Sequence, residues 1–321
     1  MRFAVETWAP EYGSPNGGEA GLVESEVAVD LAVERDPGAW APVTPPSATE
    51  VPPVILFVDG VRRVEARVWV TSPGGEVHPG ICASYAAGVV RCDGRAPRSS
   101  RVVAIEVGRG LFCRSAGAAD IATRHGPFTL RATAVDDPDA LSLALQGAMG
   151  ELERSVSAGA ATPGELLVVD GPLGARRALP GTVGYVKTHH VSYLPPELVG
   201  VVGALAAGQR TPVFCMGERF PRHSWYLRLP GEITHAWAGV VRCEAATDVE
   251  AGGAVALADQ IAAALPRFAS TAHKDPRAPQ NLFPIAGLER QLRHRLGDPL
   301  VIQRALREAA QRSGGEEVAP G

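Results

Sequence analysis

Two short stretches decide the reading: VPPVILFVDGVRR at residues 51–63 and ELLVVDGPL at residues 165–173. In each, a run of Val, Ile, Leu or Phe without a polar residue closes on Asp-Gly. Val54 to Asp59 and Glu165 to Asp170 therefore read as strands buried on both faces. Asp59 and Asp170 then stand at their carboxyl ends, the edge at which open α/β sheets hold ligands. Arg63 to Val70 alternates polar with apolar and reads as a hairpin partner of the first strand. Ser84 to Cys92 and Arg101 to Val107 follow as further strands. Between the two aspartates, residues 139–157 place Leu141, Leu145, Ala148, Leu152 and Val156 on one helical face. Asp136, Asp137 and Asp139 gather at that helix's positive end. The helix carries Glu151 and Glu153.

The order strand-Asp, hairpin strands, helix-Glu, strand-Asp is that of an RNase H-like core. The expected fold is α/β: a mixed sheet flanked by helices, with a C-terminal helical region. Thr182 to Lys187 reads as a third central strand, Pro195 to Ala207 as a helix, and Trp225 to Leu229 with Ala236 to Glu244 as a late strand pair. Val255 to Leu265, Leu282 to Leu296 and Leu300 to Ala310 read as helices. Residues 1–50 form an acidic extension rich in Pro and Gly, in which Phe3 to Trp8 could be a strand. Residues 51–300 form the main domain, and residues 301–321 a last helix and a disordered tail, SGGEEVAPG.

Composition narrows the function classes. The chain has 321 residues, 45% hydrophobic and 21% charged, with a formal net charge of -4. It has no global basic footprint, so any nucleic-acid contact must use local positive charge. Cys82, Cys92, Cys113, Cys215 and Cys243 are odd in number and contain no Cys-x-x-Cys pair, which points to reduced buried thiols rather than a disulfide framework or zinc knuckle. The N-terminal MRFAVETWAPEYG does not read as a signal peptide. Leu198 to Gly208, the longest apolar stretch, falls short of the roughly 20 residues that span a bilayer. The expected location is cytoplasmic. There is no Gly-x-x-x-x-Gly-Lys phosphate loop and no Gly-x-Ser-x-Gly elbow.

Carboxylates from separate elements that converge can hold divalent metal for phosphodiester hydrolysis, and hard oxygen donors suit Mg2+ or Mn2+. Asp59 and Asp170 are the candidate ligands, with Glu151 or Glu153 from the helix and Glu106 as a rival on a strand. Lys187, beside His189 and His190, could meet a phosphate and stabilise developing charge; the two histidines have no nearby Cys or second His pair to complete a zinc site. Arg228 and Arg242 lie in the late strands among Trp225, Tyr226 and Trp237. Arginine forks bind phosphate and aromatic rings stack on unpaired bases, although core packing suits Trp237 better. Arg290, Arg293, Arg295, Arg304 and Arg307 form a basic stripe on the C-terminal helices, either a DNA path or a solvated face.

FVDGVRR, MGELERS, LLVVDGPL, VGYVKTH, WYLRLPG, GVVRCE and DPRAPQNLFPIAGLERQLRHRLGD, taken in that order, resemble the NurA nucleases over residues 54–300. The resemblance implies a Mn2+-dependent (or Mg2+-dependent) DNA nuclease acting in end resection. It also implies a HerA-type hexameric translocase as partner and a homodimer with a central DNA channel. Asp59 and Asp170 match the family's aspartates, and Glu153 is favoured over Glu151 because its separation from Asp170 resembles the family spacing. The family's late site side chain, often His, falls nearest Glu289. The family prefers Asp-Gly-Ser, whereas this chain has Asp59-Gly60-Val61 and Asp170-Gly171-Pro172. These departures leave a second reading open, a catalytically inactive RNase H-like scaffold that binds DNA and docks a translocase.

Overall fold

A computed structural model describes residue 8 and residues 23–97, 99–114, 117–174, 181–218 and 220–315. Of the expected strand from Phe3 to Trp8 only Trp8 is among these, and the tail beyond residue 315 lies outside them. Strands β1 (Val23–Glu24), β2 (Val29–Asp30), β3 (Val54–Thr71), β4 (Val77–Asp93), β5 (Ser100–Cys113) and β6 (Thr129–Ala132) come first, followed by helix α1 (Pro138–Ala160). Then come β7 (Leu166–Asp170), β8 (Thr182–Val186), β9 (Val191–Ser192), α2 (Pro196–Gly203), β10 (Phe214–Met216), β11 (Arg222–Arg228) and β12 (Val240–Ala246). Helices α3 (Ala251–Ala264), α4 (Phe283–Arg295) and α5 (Pro299–Gly315) close the chain. The architecture is mixed α/β. No helix among the described residues is long and apolar enough to cross a membrane.

Ten strands share one sheet in the order β2-β10-β11-β12-β8-β7-β3-β4-β5-β6. The chain divides into two compact units. The first takes residues up to Val58, Val90–Arg101 and Ala161–Gly287; the second takes Asp59–Val89, Val102–Ala160 and the residues from Leu288 onward.

In the first unit, the apolar runs behave as their composition demands. Ile55, Leu56, Phe57 and Val58 are wholly buried, as are Val168 and Val169. β3 and β7 pair in parallel, with Ile55 opposite Leu166 and Val58 opposite Val169. β8 continues the parallel set beside β7, and β12 and β11 then run antiparallel. An aspartate follows each member of the Val58–Val169 pair. β7 stops there because Gly171 takes a positive φ of 96°, a conformation that side chains resist. Its amide donates to the Tyr185 carbonyl at 2.8 Å. Beyond β12, Trp40, Leu198, Val202, Phe214 and Tyr226 pack into one apolar cluster.

In the second unit, the expected hairpin after Asp59 is corrected. Val54 to Asp59 and Arg63 to Val70 are one strand, and Asp59-Gly60 is not a turn. The residue pattern changes at Asp59 because burial on both faces gives way to burial on one, not because the chain reverses. β4 and β5 supply the next sheet positions, and α1 packs Leu141, Leu145 and Ala148 against Ile81, Ala83, Tyr85 and Phe112. Ile302 and Leu306 of α5 pack with Cys82, Leu111, Cys113 and Phe128. α5 runs through Gly315, so Ser313 to Gly315, expected in the tail, are helical. All five cysteines are free thiols, and burial pushes Cys82 and Cys92 up to about 12.

Candidate active site

Asp59 and Glu153 both belong to the second unit and both are buried, at 8% and 2% exposure. Glu151, two residues from Glu153, is exposed and salt-bridged to Arg131 at 3.3 Å. Helical geometry turns successive residues by about 100°, so only one of the two glutamates can face inward. The structure selects Glu153. Its carboxylate lies against the Cα of Gly60, where an added Cβ would collide with Oε1 and would stand 3.0 Å from Met149 Cγ. Gly60 is thus a cradle for the Glu153 carboxylate, one residue from Asp59. The Gly60 amide donates to Asp59 Oδ1 at 2.8 Å. Glu106 is exposed on β5.

Asp170, in the first unit, stands at the Gly171 turn. Lys187, just past β8, places Nζ 2.7 Å from Asp170 Oδ2 and 3.1 Å from Asn281 Oδ1. Asn281 in turn donates through Nδ2 to Asp275 Oδ2 at 2.8 Å, and Asp275 Oδ1 accepts from the Arg277 amide. The Ser270 hydroxyl bonds the Asn281 carbonyl, and the Tyr185 hydroxyl donates to the Gln280 carbonyl. Asn281, Gln280 and Asp275 are all buried. The DPRAPQN segment is therefore a polar clasp that fixes Lys187 upon Asp170. Sequence reasoning missed Asn281 in this role. The available signal was a run of polar residues just before an apolar helix, and a run of that kind resembles any surface loop.

The arginines expected to meet DNA are placed otherwise. Arg228 is wholly buried and donates to the carbonyls of Val202, Gly203, Ala236 and Ala238. Arg242 is 5% exposed, bonds Glu244, and stands 4.6 Å from the Tyr193 ring. Trp225 and Tyr226 are wholly buried. None of these offers a surface to nucleic acid, so the expected DNA contacts at Arg228 and Arg242 are corrected. Strand alternation cannot reveal this, because helices and loops cover both faces here. Trp237 packs on His189 and Tyr226. By contrast, Arg290, Arg293, Arg295, Arg304 and Arg307 are exposed. Glu289 bonds Arg293 at 2.8 Å within α4.

His189 is buried, with Nε2 3.1 Å from the Val240 carbonyl. Burial, aided by the charge of Arg242, lowers its pKa to about 4. The unfolded chain therefore takes up a proton that the folded chain refuses. The stability from a neutral His189 is complete above the ordinary histidine value near 6.5 and is lost as pH falls toward 4. The loss is on the order of 3 kcal/mol. Urea unfolding of His189→Gln should vary less with pH across that window than the parent; equal slopes would refute a neutral buried imidazole.

Among the described residues no group of three or more His, Cys, Asp or Glu side chains stands ready to hold a metal ion. The donors that would suit one are carboxylate oxygens, Glu153 against Gly60 and Asp59 at the preceding residue of β3. No protein-family model matches the chain, and no curated protein matches it.

Proposed function

We propose that this chain is a metal-dependent DNA nuclease that hydrolyses phosphodiester bonds in DNA end processing. The observation that carries the proposal is the Val58–Val169 register, which sets an aspartate after each of two parallel central strands, together with the cradle that holds Glu153 at the residue after Asp59. When bound, Mn2+ or Mg2+ supplies the positive charge and the acidified water that such hydrolysis uses; Asp59 and Glu153 in the second unit and Asp170 in the first are its proposed ligands. Lys187, held by Asn281, is a further cation able to meet a phosphate oxygen. Glu289 keeps its proposed place as a late site residue on α4. The exposed arginines of α4 and α5, Arg293 and Arg304 among them, supply local attraction for DNA in a chain of net charge -4. A homodimer in the cytoplasm, working with a HerA-type translocase, completes the proposal; the chain has no phosphate loop of its own to drive DNA movement.

The competing reading, an inactive scaffold that binds DNA and docks the translocase, is favoured by the lack of a three-membered ligand group among the described residues. Side-by-side digestion of single-stranded DNA, duplex DNA and RNA, with Mn2+ and with chelator, separates the two. The nuclease reading expects Mn2+-dependent cleavage of DNA. Binding without cleavage of any substrate would leave the scaffold.

A further inference from the structure

β3 changes phase within the second unit. Val61 and Glu65 are buried while Arg62 and Val64 are exposed; from Ala66 onward, Ala66, Val68 and Val70 pack against the core. This slip puts Arg62, Val64, Arg67 and Trp69 along one groove of about 650 Å3, which Leu141 and Leu145 of α1 help to line. Trp69 is 74% exposed and Val64 48%. A large ring left in water on the lining of an apolar groove marks a contact surface. Arg62 and Arg67 are exposed, and neither has a hydrogen-bond or ion-pair partner among the described residues. The acidic group on the opposite rim, Asp136, is already engaged by His78 Nδ1 at 3.1 Å. The charge left to meet a ligand is positive.

We propose that this groove binds single-stranded nucleic acid, with a base stacked on Trp69 and backbone phosphates on the Arg62 and Arg67 guanidiniums. At strand spacing the two arginines stand roughly 16 Å apart, on either side of Val64 and with Trp69 just beyond Arg67. This suits a backbone followed along the strand more than one compact anion. An indole face accepts any unpaired base, whereas a duplex keeps its bases stacked and cannot offer one. A protein partner would also use the tryptophan, but two unpaired arginines against one lining carboxylate, Asp136, itself paired with His78, favour a polyanion. The inference rests on the nucleic-acid reading of the chain and names the strandedness it prefers.

The test uses the full chain in chelator, so that binding is read without cleavage. Trp8, Trp40 and Trp225 are buried and Trp237 partly so, whereas Trp69 is 74% exposed, so the part of the quenching that Trp69→Phe removes reports on the groove. An unstructured oligothymidylate should quench that emission strongly and a duplex weakly. Trp69→Ala should weaken oligothymidylate binding, followed by anisotropy of a labelled strand, about tenfold or more. Trp69→Phe should lose the quenching signal yet keep most of the affinity. Replacing Arg62 and Arg67 together by Gln should reduce the salt dependence of binding by about 1.4 in logarithmic slope. Equal quenching by duplex, or unchanged affinity in Trp69→Ala, would overturn the proposal. So would a halved mass of Trp69→Ala in light scattering, which would make the groove an interface between copies of the chain. Failure of cleavage elsewhere leaves this result intact, and loss of the groove leaves the carboxylate site intact.

Discussion

Asp59→Asn and Asp170→Asn should each cut Mn2+-dependent DNA digestion by more than about 100-fold, because even groups outside a metal's ligand shell cost roughly 10–100-fold in affinity or activity. Folding should survive both changes. At Asp59 the substitution is close to isosteric, and its side-chain oxygen can still accept from the Gly60 amide. At Asp170 the amide keeps an oxygen to accept from Lys187, whose bond to Asn281 at 3.1 Å also remains. Gly60→Ala approaches the same site from the other side: its methyl group occupies the space of Glu153 Oε1 and should lower the rate without removing any carboxylate. Initial rates with Mn2+, set beside circular dichroism and urea midpoints, check all three. A folded Asp59→Asn or Asp170→Asn variant that digests DNA at the parent rate removes that residue from the site.

Glu244→Ala should destabilise the chain by about 3–5 kcal/mol, the usual cost of breaking a buried ion pair from one side. The Glu244 carboxylate is wholly buried and accepts from Arg222 Nε at 2.9 Å, from Arg242, and from the Leu173 amide at 2.9 Å. Removing it leaves the nearly buried Arg242 charge uncompensated and the Leu173 amide without this acceptor. Burial alone would raise the carboxyl's pKa, but Arg242 and Arg222 outweigh burial and hold it below the ordinary carboxylate value. Its contribution is therefore present above that ordinary value and lost as pH drops through the lower folded one. Urea unfolding at neutral and acid pH should show the gap between parent and variant closing at the acid end. A neutral-pH difference under about 1 kcal/mol would assign the triad no structural role.

What the sequence determined by itself was the local order. The apolar runs at residues 55–58 and 166–169, short and closed by Asp-Gly, read as central strands, and the spacing of Leu141, Leu145 and Ala148 as a helix packed on one side. Both follow from near-neighbour periodicity, which the chain carries wherever it folds. The two aspartates were legible for the same reason, since each closes such a run. The tertiary structure decided the rest. The continuity of β3 through Asp59-Gly60 depends on β4 being there to pair with it. The choice of Glu153 over Glu151 depends on the empty space above Gly60. The removal of Arg228 and Arg242 from solvent, and the exposure of Trp69, depend on which elements happen to cover each face. A charged or aromatic residue is buried or exposed according to partners far away in sequence, such as Asn281 for Lys187 or Ala236 for Arg228, and no local pattern encodes that pairing.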